Sequence, residues 1–291
     1  LSKQLPSRAL YASDGWVDLY SDGIIQSENK FQKIVNGEVQ SEIEMSGTPS
    51  KTKKITLGEK VASEIDVPSS LVNKLTQQGT EKLRSWLGKT SLRYVDNSGA
   101  RLSGVAAKEK VCDELNSAIS NQTVLNVIED SDARLLVQCE GVNRNTVYGV
   151  VKKQNGDHIL YKFEPAYKPS TNPNIDVPLS KNLLAPDFYG SKYLYPITGN
   201  QKNIVKIKMT GNRTSDFKVS NQLAGFGNTS SPPVITINGK VTNYTWHHLD
   251  DFNSTTGECT MQLVERDAHT AIGMTHTGSV GQYKAFNGSG Y

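Results

Sequence analysis

The chain has 291 residues, enough for two domains with separate cores. Apolar residues make up 36%, and no apolar run approaches the roughly 18 residues that cross a bilayer, so a membrane-spanning helix is excluded. The net charge of +3 resides in the second half: from Pro165 onward 11 Lys and Arg face 8 Asp and Glu, whereas the first half balances. Such an asymmetry suits a polyanionic partner and suits a solvated basic face equally well.

The opening residues LSKQLPSRALYASDG lack an initiating Met and the charged-then-apolar layout of a signal peptide. They read as a piece of a larger polypeptide, a processed product, or a chain short of its first residues. Residues 1–50 hold short alternating stretches that predict irregular strands. The segment LGEKVASEIDVPSSLVNKLTQQGTEKLRSWLG predicts helix in two pieces parted by Pro68, the second capped by Ser69 or Ser70. Leu71, Val72, Leu75, Leu83, Trp86 and Leu87 give it an apolar stripe. SLRYVD predicts a strand and VAAKEKVCDELNSAIS an amphipathic helix. TVLNVIED, ARLLVQCEG, TVYGVVKK and HILYKFEP predict a four-stranded antiparallel sheet.

Four prolines in EPAYKPSTNPNIDVP rule out a regular element there. The expected organisation is an α+β domain over 1–165, a Pro-rich linker over 166–180 and a second domain over 181–291. In the second domain KNIVKIKM predicts a strand whose one face carries Lys202, Lys206 and Lys208. SPPVITINGKVTNYTWHH predicts a hairpin turning at Asn238-Gly239. Cys112 and Cys139 form either one disulfide or two buried thiols, and Cys259 is a core residue.

Four of the five histidines fall in TWHHLDDFNSTTGECTMQLVERDAHTAIGMTH. This stretch predicts a strand ending in a His pair, a turn around Thr256-Gly257, a strand CTMQLV, and a short helix from about Glu265 to Ile272. His247 and His248, adjacent on a strand, face opposite ways, so one can bind a metal while the other reaches a different atom. His276 lies seven residues beyond His269, about 10 Å along a straight helix, too far to share one ion. Gly273 resolves this if it ends the helix in a left-handed turn and lets His276 fold back. Asp250 and Asp251 read as solvated turn carboxylates, Trp246 as core, Gln262 as a structural amide that steadies a loop, and His158 as structural.

YTWHHLDD, GECTMQLV and HTGS, in this order, resemble the WHH branch of the HNH/endonuclease VII superfamily, over roughly residues 185–285. That branch occurs at the C-terminal tips of bacterial polymorphic toxins, including contact-dependent growth inhibition systems. Two positions depart from its pattern: Glu265 stands where Pro is usual, and Ser279 where Gly is. The resemblance implies an α+β chain whose C-terminal domain is a ββα-metal (His-Me finger) nuclease. It implies His248 as general base, for which an imidazole pKa near 6.5 is suited. It implies His247 and His269 as ligands of one divalent metal ion (Mg, Mn, Zn or Ni). His276 is a third ligand or a hydrogen-bonding residue for phosphate or loop. Lys206, Lys208 and Arg213 are candidate substrate-binding residues.

The resemblance further implies a secreted or surface-delivered endonuclease toxin that acts on nucleic acid in the cytoplasm of a target bacterium. DNA is favoured over RNA or tRNA, and a cognate immunity protein is the expected antagonist. Residues 1–165 would then be a delivery or pre-toxin domain. A binding module with a structural zinc closed by the histidines and Cys259 is the competing expectation.

Overall fold

A computed structural model describes strands within residues 9–44 and residues 67–291, apart from 164–165, 169–174, 238 and 272. The chain divides into two compact units, Leu1–Asp66 and Val67–Tyr291. In the first, β1 (Ala9–Ala12) pairs with β2 (Gly15–Asp18), and β3 (Asp22–Ser27), β4 (Lys30–Val35) and β5 (Glu38–Glu44) form an antiparallel sheet. The helix expected over residues 57–66 lies outside the described residues.

The second unit opens with α1 (Ser69–Val72) and α2 (Gln77–Lys89). The cap differs from expectation. Ser69 and Ser70 cap nothing, whereas the Thr76 side chain accepts from Gly79 N and starts α2. That bond satisfies one of the orphan N–H groups of the first turn. Leu83, Trp86 and Leu87 follow at helical spacing and are buried. After β6 (Arg93–Val95) and β7 (Arg101–Ser103) comes α3 (Gly104–Ala118). Then β8 (Val124–Glu129), β9 (Leu135–Cys139), β10 (Thr146–Lys152) and β11 (His158–Phe163) form the expected antiparallel run. β6 joins it in parallel beside β11, giving the order β7-β6-β11-β10-β9-β8. Cys112, Cys139 and Cys259 are all buried free thiols.

The remaining elements are β12 (Ile204–Lys208), α4 (Arg213–Ala224), β13 (Val234–Ile237), β14 (Lys240–His248), β15 (Glu258–Glu265), α5 (Arg266–Thr270) and α6 (Gly278–Asn287). A four-stranded sheet of order β12-β15-β14-β13 is the floor of this region. The hairpin β13–β14 turns between Ile237 and Lys240, with Gly239 at φ 77°; Asn238 lies outside the described residues. β14 and β15 pair as the second hairpin, with His247 opposite Gln262 and His248 opposite Met261.

The linker expected over 166–180 falls inside this second unit. Leu136, Val147, Val151 and Phe163 of the six-stranded sheet share one core with Leu184 and with Ala285 of α6. The buried Arg134 donates to the Phe252 carbonyl at 2.9 Å, and Ser254 N donates to Asp132 at 3.0 Å. Proline-rich composition marks irregular backbone, and irregular backbone can still be packed between two sheets.

Gly278 begins α6 at φ 48°, and a Cβ there would stand 2.5 Å from the His248 carbonyl oxygen. This explains a glycine after His-Thr: α6 starts against the backbone of the histidine pair. Gly278→Ala is expected to cost at least about 1–3 kcal/mol through the strained φ and the clash. Thermal unfolding checks it, with a Tm drop of several degrees expected.

Candidate active site

β13 pairs with β14 only as far as Asn243, so the stretch from Tyr244 to His248 has β15 on one side and no strand on the other among the described residues. A cavity of about 370 Å³ runs along this free edge. Arg213, Phe217, His248, His269, His276 and Thr277 line it.

α5 ends at Thr270, earlier than expected, and Gly273 adopts the predicted left-handed turn at φ 89°. The chain folds back and brings His276 to His269 with ring centroids 5.2 Å apart. His247, His269 and His276 each present a ring nitrogen, all within 4.8 Å of one another. Phe188 packs against the rings of His247 and His269 at 5.3 and 6.5 Å.

The hydrogen bonds behind these rings set their tautomers. His247 Nε2 lies 2.9 Å from the Pro186 carbonyl, and His276 Nδ1 lies 2.6 Å from the Met274 carbonyl. A carbonyl only accepts, so each ring spends its N–H there. His247 Nδ1 and His276 Nε2 then meet as two lone pairs, 3.0 Å apart. Burial first, and then the neighbouring histidines, push His247 well below the ordinary imidazole pKa. Burial pushes His276 down to about 4, with Arg213 adding to the effect against the Met274 hydrogen bond. It pushes His269 down to about 3, with His276 and Arg213 adding. A proton therefore does not bridge the two lone pairs, and a cation does so naturally. Two nitrogens on one ion with bonds of about 2.1 Å stand roughly 3.0–3.4 Å apart. The donor set fits a divalent metal.

The same shifts predict acid lability after chelation. The unfolded histidines take up protons below about pH 6.5, whereas in the fold His276 and His269 resist until about 4 and 3. The unfolded state binds more protons, so stability falls as pH drops through this window. Asp250, raised to about 6 by burial, opposes this because the fold protonates it first. Three histidines against one carboxyl make a net loss between pH 6.5 and 4.5 the expected result of melts in chelator.

His248 faces a different partner. Its Nε2 lies 3.0 Å from Asp216 Oδ2 in α4, and both residues are buried. Asp216 also accepts from Thr210 N at 2.9 Å, from Thr210 Oγ1 at 2.8 Å and from the Tyr291 hydroxyl. Burial alone would raise the Asp216 carboxyl, but the bonds from His248, Tyr291 and Thr210 hold it below its ordinary range. Burial, with Asp216 adjacent, raises the Tyr291 phenol, which stays a donor. An ionised Asp216 fixes the Nε2–H tautomer of His248. His248 Nδ1 is then the basic nitrogen, with no partner among the described residues.

Asp216 was not singled out from sequence, although Asn212 and Gly225 mark its helix. The Asn212 side chain accepts from Ser215 N, and Gly225 closes the helix at φ 84°. Of the candidate substrate residues, Arg213 lines the cavity, whereas Lys206 and Lys208 stand exposed on β12 opposite Thr260 and Glu258 and do not line it. Arg213 has no carboxylate partner among the described residues.

The surrounding polar residues are structural supports. Gln262 accepts from Phe188 N and donates to Asp187, so its amide does steady the loop. Trp246 is buried and donates to Asn221 at 2.8 Å. His158 is buried, with Nδ1 3.3 Å from the Arg93 carbonyl. The expectation of solvated carboxylates fails for Asp250. It is fully buried and accepts from Ser180 Oγ, Leu184 N and Ala185 N, tying the preceding loop to the hairpin. Asp251 is spent on Thr260, accepting from both its N and its Oγ1. Cys259 lies in the sheet core with Trp246 and Met261, outside the histidine group, so it does not close a tetrahedral site.

No curated protein and no solved structure matches the chain. Residues 236–286 match the family model described as "a nuclease of the HNH/ENDO VII superfamily with conserved WHH". The conserved triplet is Trp246-His247-His248, the strand that carries one histidine of the cluster and the histidine held by Asp216. The match covers residues 236–286, and that stretch is similar to the WHH nucleases of the HNH/ENDO VII superfamily.

Proposed function

We propose that the chain is a metal-dependent endonuclease in which His247, His269 and His276 hold one divalent ion and His248 is the general base. The observation that carries this reading is the pair of facing lone pairs on His247 and His276, beside an imidazole tautomerised by a buried carboxylate. When bound, the ion supplies a Lewis acid that stabilises charge on the phosphoryl and leaving oxygens. The residues supply the rest. His248 Nδ1 takes the proton of the attacking water, and Asp216 holds the ring and stabilises the imidazolium that results. Arg213 offers a planar, permanently charged guanidinium to the phosphate. Phe188 buttresses two of the ligand rings.

The reading extends to a toxin delivered from outside and acting in the cytoplasm of a target bacterium, with an immunity protein as antagonist. It rests on the likeness of YTWHHLDD, GECTMQLV and HTGS to toxin tips and on the basic second half. DNA is the favoured substrate, RNA or tRNA the alternative on the same site. We assign a delivery role to Leu1–Asp66, because residues 67–163 pack with the nuclease region as one unit. Incubation of plasmid DNA and total RNA with Mg²⁺, Mn²⁺, Zn²⁺ and Ni²⁺ tests the reading. Cleavage of one substrate, abolished by chelator, is expected; both substrates intact under every ion would overturn it.

A further inference from the structure

A second cavity, of about 480 Å³, lies between the β10–β11 turn and the end of α6. Lys153, Tyr161, Lys284 and the segment Gly288-Ser289-Gly290 line it. Lys153 and Lys284 are both half-buried, and among the described residues neither ammonium has an ion-pair or hydrogen-bond partner. Two cations facing one cavity without a carboxylate repel each other, so an anion there is favoured. The arrangement is also held in place. Gln154 N, next to Lys153, donates to the Phe286 carbonyl of α6 at 3.0 Å, and Lys153 N donates to Asp157 at 2.7 Å. One lysine thus comes from the β10–β11 turn of the six-stranded sheet and the other from α6, and a backbone hydrogen bond clamps the two elements together.

We propose that this cavity binds a backbone phosphate of the nucleic-acid strand whose scissile phosphate sits at His248; the proposal rests on the nuclease reading above. α6 begins against the His248 carbonyl, and Lys284 is six residues further on, about 9 Å along the axis. The same short segment runs on to Tyr291, whose hydroxyl donates to Asp216, so Lys284 and the His248 network share one piece of chain. The upstream sheet is then part of the substrate-binding surface, not a separate module.

The test is fluorescence anisotropy of labelled 20-mers with the full chain in chelator, over a series of salt concentrations. Wild type, Lys153→Gln/Lys284→Gln and Lys89→Gln, whose lysine pairs with Glu129, are compared. The expected result is weaker binding of every sequence by the double variant alone, with its log–log salt slope reduced by about one. Equal binding by wild type and double variant overturns the site while leaving the nuclease reading standing; a pocket for an acidic protein or for free phosphate alone gives this outcome. Wild-type protein that neither binds the 20-mers nor cleaves any nucleic acid with metal restored removes the nuclease reading and this site with it.

Discussion

Replacing His248 by Ala is expected to lower cleavage about 10²–10⁴-fold, the range a positioned general base contributes. The loss should lie in kcat, because a general base acts on the water and not on the substrate's remote contacts. The variant leaves a buried carboxylate one donor short, so part of any loss could come from unfolding. Asp216→Asn separates the two effects. It keeps the shape, and its amide can turn an N–H toward His248 Nε2, favouring the tautomer with Nδ1–H and removing the basic nitrogen. A large kcat loss with a native circular dichroism spectrum and near-native Tm is the expected signature. Full activity in Asp216→Asn would show that the carboxylate is only structural.

His247→Ala is expected to abolish tight metal binding, measured by isothermal titration or equilibrium dialysis. Removing a hydrogen-bond partner behind a ligand costs about 10–100-fold in affinity, and removing the ligand itself must cost more. His247 also sits at the centre of the cluster, with ring centroids 5.3 Å from His269 and 4.6 Å from His276. Cleavage should fall with affinity and recover in part at high metal concentration. Undiminished metal affinity would mean that the lone pairs at His247 and His276 face each other for another reason.

The histidine-bearing hairpin was legible because its signals are local. Alternation, the His pair and the turn glycines give β14, β15 and the reversal at Gly273 directly. Its supports were not legible, because they arrive from far along the chain. Asp216 lies 32 residues before His248 and belongs to a helix whose sequence, RTSDFKVSNQLA, has a weak apolar stripe. Only its Asn cap and terminal Gly announce it. Asp250 looked solvated because it stands beside a turn; the loop that buries it begins 70 residues earlier at Ser180. The proline-rich stretch looked like a linker because composition reports local regularity and says nothing of what packs against it.

The burial of Asp250 bears on how this motif can be transplanted. The stretch 236–286 holds the recognisable words, yet His247, His248 and Asp250 within it are wired to residues outside it. His247 leans on Pro186, His248 on Asp216, and Asp250 on Ser180, Leu184 and Ala185. Grafted alone onto another scaffold, it would carry a buried negative charge with no donors and a histidine with no fixed tautomer. The smallest inheritable unit is therefore longer than the motif that identifies it.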